Sequence, residues 1–137
     1  PFHLSSGEKR KLALASAIIS SPEVLIFDEP TAGMDASGRK ELIRIISGLQ
    51  DVTMVLVTHN LEDFLGIVDR CIVLSEGRMA ADIGRDRLVD RLGDLEAMGV
   101  VPPLVLSVQD WLAKAGIRTG ETLFDMKQLV GHLKSGG

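Results

Sequence analysis

Cysteine is nearly absent: Cys71 is the only one in 137 residues. No disulfide framework can be built from it, which fits a reducing compartment. Its setting, "CIVL", reads as a small buried hydrophobe rather than a reactive thiol. No apolar run approaches the roughly 20 residues needed to span a bilayer. The first residues, "PFHLSSGEKR", lack the basic-then-apolar pattern of a signal peptide. They also lack an initiator methionine, so a piece of a longer chain is expected. Positive charge is not in excess: 15 Lys and Arg stand against 19 Asp and Glu, a net charge of −4. That balance argues against nucleic acid as the main partner. No internal repeat or low-complexity tract occurs. What remains is an ordinary globular composition, 45% hydrophobic and 25% charged, with enough apolar surface for a core. The length suits one domain, or one and a half small ones.

The pattern then divides the chain. Ser5 to Ser21 reads as a helix, with Ser5 and Glu8 fitting the S-x-x-E capping pattern and Pro22 after its end. Leu12, Ala15, Ile18 and Ile19 form its expected apolar stripe. Val24 to Phe27 is a short continuous apolar run, as expected of a strand buried on both faces. Ser37 to Ser47 is a second helix, with Leu42, Ile45 and Ile46 inward and Gly48 as its stop. "TMVLV", Thr53 to Val57, is another fully apolar strand, and Asn60 can cap a short helix through Val68. Two apolar strands separated by a helix predict a right-handed crossover in a parallel sheet. Few helices precede Val24 to cover it, so the sheet is expected to be incomplete. "CIVLSEGRMAADI" reads as a hairpin turning at Glu76-Gly77. From Gly84 onward "RDRLVDRLGDLEAMGV", "LVLSVQDWLAKAG" and "LFDMKQLVGHLKSG" read as three helical segments, with "VPP" a breaker between the first two. "KSGG" at the end reads as a frayed tail.

Chemistry gathers at the strand ends. In open parallel sheets ligands bind outside the carboxyl ends of the strands. Asp28 and Glu29 stand there, in "VLIFDEPTAG". Successive side chains of an extended chain point opposite ways, so one acid can face a metal while the other faces a water or substrate. Mg²⁺ suits such a place, because it takes only one or two carboxylates and keeps its waters. The plain alternative is that the two acids end a strand and begin a turn. His59, in "VTHN", falls on the same rim past the second strand. An imidazole there can polarise or orient a phosphate, or simply be structural. "LSSGEKRK", Leu4 to Lys11, leads small residues into a helix whose first N–H groups lack partners. It is either an anion site or an ordinary capping box, and Lys9, Arg10 and Lys11 form a solvated face.

Together, "LSSGE", "VLIFDEPTAGMD" and "VTH" resemble, in order and spacing, the ATPase subunits of ABC transporters, over roughly Leu4 to Ile83. "LSSGE" is similar to the signature motif, "LIFDE" to Walker B, "AGMD" to the D-loop, and His59 to the switch histidine. The resemblance implies that Asp28 supports Mg²⁺ through water, Glu29 polarises the attacking water and His59 contacts the γ-phosphate. It implies that Leu4, Ser5, Ser6, Gly7 and Glu8 form the signature, with Ser5, Ser6 and Gly7 on the γ-phosphate of ATP held by the opposite subunit. Asp35 would communicate across the dimer. Ser6 stands where the signature has its first Gly, and Glu8 where it has Gln. Ser6 still offers its backbone N–H, and Glu8 brings negative charge near a polyphosphate while completing the capping pattern. These two changes bear on the affinity of the signature.

The family's phosphate loop is missing, since no G-x-x-x-x-G-K-[ST] occurs in the chain. The implied fold class is therefore α/β, the C-terminal part of a P-loop NTPase (ABC ATPase) domain plus a small helical extension. Residues 1–83 would be the partial nucleotide-binding domain and residues 84–137 the extension. Within the family "EPTAGMDASGRKEL" and the Pro102-Pro103 pair before a helix are most similar to ATPases of cobalt, nickel and energy-coupling-factor (vitamin) importers. The resemblance implies ATP and Mg²⁺ as cofactors, a second ATPase subunit and transmembrane permease components as partners, and no nucleic acid. It implies a place on the inner face of the cell membrane. Met98, Val100, Leu104, Leu106, Val108 and Leu112 supply either a face that pairs subunits or a core of their own, and Trp111 reads as core or interface. The alternatives are a soluble ABC ATPase of DNA repair or translation, or an interaction fragment without activity.

Overall fold

A computed structural model of the chain describes residues 6–135. Leu4 and Ser5 of the expected signature lie outside them. The chain forms two compact units, Pro1–His59 and Asn60–Gly137. The boundary expected at Gly84 falls inside the second unit, where Gly84 ends a strand and Arg85 N donates to Asp69 O at 2.9 Å.

The first unit holds α1 (Ser6–Ile19), β1 (Val24–Asp28), α2 (Ala36–Ser47) and β2 (Thr53–Val57). The strands pair in parallel, Val24 opposite Thr53 through to Asp28 opposite Val57. Helix α2 is the crossover between them. It starts at Asp35, whose carboxylate accepts the Gly38 N–H at 2.9 Å, and stops at Gly48, whose N–H returns to the Ile45 and Ile46 carbonyls. Leu42 and Ile46 face inward as expected.

Two expectations fail here. The stripe of α1 is not Leu12, Ala15, Ile18 and Ile19: Leu12 and Ile19 are exposed, and Leu14 is the buried residue, with Ala17 and Ile18 partly covered. Apolar residues run nearly all round this helix, so periodicity cannot select the face. The strands are not buried on both faces either. Leu25 is buried and Phe27, Met54 and Leu56 are partly covered, whereas Val24, Ile26, Val55 and Val57 are exposed, Ile26 at 71%. Full burial of a parallel sheet needs a layer on each side, and only one face is covered among the described residues. A cleft of about 250 Å³ lies among Leu14 and Ala17 of α1, Leu25 to Asp28 of β1, and Leu42 of α2. Lys11 of α1 pairs with Glu41 of α2.

The second unit opens with a short 3-10 turn, Leu61–Asp63, in place of the helix expected through Val68; Asn60 makes no side-chain cap there. The hairpin β3 (Arg70–Ser75) and β4 (Arg78–Gly84) is antiparallel and turns at Glu76-Gly77, both with positive φ (51° and 73°), the handedness that matches strand twist. Arg70 Nε donates to Asp82 Oδ1 at 2.5 Å, and its Nη2 to the other carboxylate oxygen. The helix expected after Gly84 is broken: 3-10 turns at Arg85–Arg87 and Val89–Arg91 precede a short α3 (Leu92–Ala97). Arg91 leaves helical geometry (φ −116°, ψ 16°), and Gly93 lowers helix preference by about 1 kcal/mol. Leu88, Leu92 and Leu95 still face inward.

Helices α4 (Leu104–Lys114) and α5 (Met126–Ser135) match expectation. Their residues complete one core: Leu65, Val73, Ile83, Leu88, Leu95, Val105, Leu106, Leu112, Leu123 and Leu129, with Met98, Val100 and Val108 packed against it. Of the candidate pairing face, only Leu104 is exposed, beside Trp111 at 67%. Cys71 packs at the same core, and burial pushes its thiol up in pKa. Gln109 is buried and satisfied: its Nε2 donates to Leu123 O at 2.6 Å, and its Oε1 accepts from Leu123 N at 2.8 Å. Leu106→Ala should cost about 2–5 kcal/mol in urea unfolding followed by circular dichroism. Trp111→Ala should stay within about 0.5 kcal/mol of wild type.

Candidate functional site

The parallel register brings the ends of β1 and β2 side by side. Asp28 is the last residue of β1, opposite Val57. Its carboxylate stays at the strand end, where the residue also lines the cleft beside α1. Glu29 follows in a left-handed backbone conformation, φ 44°. The turn is fixed on both sides: Glu29 N donates to Val57 O at 2.9 Å, and Glu29 O accepts from Ala32 N at 3.2 Å. The alternation of an extended chain therefore stops at Asp28, and the turn itself separates the two acids.

The carboxylate of Glu29 meets the residues just past β2. Its Oε1 accepts the His59 backbone N–H at 3.0 Å and lies 2.7 Å from His59 Nδ1. Its Oε2 accepts from Thr58 Oγ1 at 3.4 Å. An ionised Glu29 can only accept, so this contact requires a proton on His59 Nδ1 and leaves Nε2 out of it. The ring is 82% exposed. The His59 side-chain hydrogen bond is the chief reason the Glu29 carboxyl is held below the usual carboxylate range. Partial burial opposes it, and the His59 backbone N–H, the charge of His59 and Thr58 act with it.

Three candidates thus share one rim: Asp28, Glu29 and His59. The others are elsewhere. Gly7 and Glu8 sit in the first turns of α1 and Ser6 opens it. Asp35 is engaged in capping α2. Sequence reasoning missed Thr58, although its hydroxyl directly before the histidine in "VTHN" was the available signal. It also missed the left-handed turn at Glu29. Among the described residues no three His, Cys, Asp or Glu side chains gather to hold a metal. A lone Asp28 carboxylate nonetheless fits Mg²⁺, which keeps most of its waters. No described helix is long and apolar enough to cross a membrane.

A crossover-linked parallel pair with an acidic, histidine-bearing carboxyl edge is consistent with the partial α/β nucleotide-binding domain that the motifs implied. A family model described as "AAA domain, putative AbiEii toxin, Type IV TA system" matches residues 1–62. The energy-coupling factor transporter ATP-binding protein EcfA2 of Clostridium tetani is 35% identical over 131 residues, covering 93% of this chain and 46% of that protein. Its counterpart in Streptococcus sanguinis is 38% identical over 135 residues, 95% of this chain and 48% of that protein. That of Caldanaerobacter subterraneus is 35% identical over 137 residues, 97% and 48% respectively. The chain is a relative of ABC transporter ATP-binding subunits, similar over nearly its whole length to those of energy-coupling-factor type. It spans about half the length of the curated relatives it matches.

The Glu29 contact has a sign that can be checked. A carboxyl whose folded pKa is depressed stabilises the fold above its unfolded pKa, and that stability is lost as pH falls through the folded value. His59→Ala should move the Glu29 carboxyl up toward the usual range in a carbon-detected NMR titration. It should also flatten the acid limb of stability against pH. A Glu29 titration identical to wild type would show that His59 is not the cause.

Proposed function

We propose that the chain supplies the hydrolytic rim and signature helix of an ATP-hydrolysing ABC importer subunit. The importer is of energy-coupling-factor type, serving vitamin or cobalt and nickel uptake. The observation that supports this most is the Glu29–His59 contact at the carboxyl edge of a parallel sheet, in a chain whose relatives carry that transporter's name. Glu29 is the base: its carboxylate, held ionised by the His59 N–H groups, draws a proton from the attacking water. His59 uses Nδ1 on Glu29 and presents Nε2 to the γ-phosphate. Asp28 is the residue that would hold Mg²⁺ through water, and the ion when bound supplies charge neutralisation on the phosphates.

The signature residues Leu4, Ser5, Ser6, Gly7 and Glu8 serve the ATP bound by a second ATPase subunit, and Asp35 links the two. Residues 1–83 are the partial nucleotide-binding domain and residues 84–137 its extension. The subunit works at the inner face of the cell membrane with transmembrane permease components, without nucleic acid.

In the full-length ATPase, Glu29→Gln should reduce turnover by about a hundredfold or more while ATP still binds. A steady-state assay showing the wild-type rate would remove Glu29 from its role. The 137 residues alone carry no G-x-x-x-x-G-K-[ST], and that backbone cradle and its Lys make most of the phosphate contact. They should bind Mg-ATP weakly or not at all and hydrolyse none on their own; micromolar binding in calorimetry would contradict this.

A further inference from the structure

The Glu29 carboxylate is held unequally at its two oxygens, and every group that holds it lies in the first unit. Oε1 takes two donors from one residue, the His59 backbone N–H at 3.0 Å and the ring Nδ1 at 2.7 Å. Each carboxylate oxygen offers about two lone-pair sites, so Oε1 is filled. Among the described residues Oε2 meets Thr58 Oγ1 at 3.4 Å and no other donor. One of its sites stays open.

An oxygen anchored alone is a pivot. The last torsion of a Glu side chain is broad, so the His59 donors do not by themselves settle where Oε2 points. A donor to the second oxygen does. The backbone brings Thr58 to that place. Glu29 N donates to Val57 O at 2.9 Å, and that carbonyl belongs to the peptide that leads into Thr58. Thr58 is half-buried, between exposed Val57 and exposed His59, as alternation along an extended chain requires. Its branched Cβ restricts χ1, so the hydroxyl is carried on a stiff stem. Hydrogen bonds at catalytic groups are often long before substrate binds and tighten with it. The 3.4 Å contact has that room to shorten.

We propose that Thr58 is a positioning residue for hydrolysis: its hydroxyl fixes the plane of the Glu29 carboxylate and keeps the open side of Oε2 toward the attacking water. His59 anchors one oxygen and Thr58 aims the other. This deepens the function proposed above and rests on Glu29 being the base.

Steady-state and single-turnover hydrolysis by the full-length ATPase test it. Thr58→Val keeps the shape of the side chain and removes the hydroxyl. It should lower kcat by about tenfold, the worth of one hydrogen bond to a charged group. The KM for ATP should stay within about twofold, because a group that aims the base does not bind the nucleotide. Thr58→Ser restores the hydroxyl and should bring kcat back to within about threefold of wild type. With Glu29→Gln already in place there is no carboxylate to aim, so adding Thr58→Val should change the single-turnover rate by less than about twofold. An unchanged kcat in Thr58→Val, no recovery in Thr58→Ser, or the same loss with and without Glu29→Gln overturns the proposal. Should Thr58→Val not fold, Thr58→Ala carries the same expectations. The ATPase reading fails by a different result, wild-type turnover in Glu29→Gln alone.

Discussion

The bond from Glu29 N–H to Val57 O holds the rim together. It extends the parallel ladder by one rung past Asp28, at the residue where the chain turns left-handed. That rung delivers the Glu29 carboxylate to the residues leaving β2, where Thr58 and His59 receive it. Shift the register by one position and the acid would meet the wrong face of its neighbour. Helix α2, capped at Asp35, is the crossover that joins β1 and β2 in that register.

Much of this was legible because the relevant signals are local. "TMVLV" is apolar throughout and became β2 residue for residue. Glu76-Gly77 marked its hairpin because two consecutive positive φ values suit few residues. Asp28, Glu29 and His59 were placed on one rim by a single rule about where parallel strands end. What escaped needed tertiary information. Leu14 rather than Leu12 faces inward because α2 and β1 lie on that side, and the helix itself is apolar nearly all round. The handedness at Glu29 depends on Val57 across the sheet. The 3-10 turns before α3 carry the same inward leucines a helix would, so the pattern showed burial but not backbone type. Of the candidate pairing face, Leu106 and Leu112 went to the core.

Apolar surface remains on the strands of both units. Val24, Ile26, Val55 and Val57 share the uncovered face of one sheet, and Ile72, Leu74 and Met79 are exposed on the hairpin. At roughly 25 cal/mol for each Å² that could be removed from water, such faces are an energetic reserve the described residues do not use. The helical core of the second unit shows the opposite state: its leucines are covered, and even its buried glutamine has every contact it needs.

The left-handed backbone at Glu29 joins two demands in one residue. Glycine would relax φ 44° at no steric cost, but glycine has no carboxylate. Any residue that keeps the acid also keeps the strain, of order 1–3 kcal/mol. The carboxylate that meets Thr58 and His59 therefore comes with a standing conformational cost. Stability gained by substitution has to come from elsewhere in the chain.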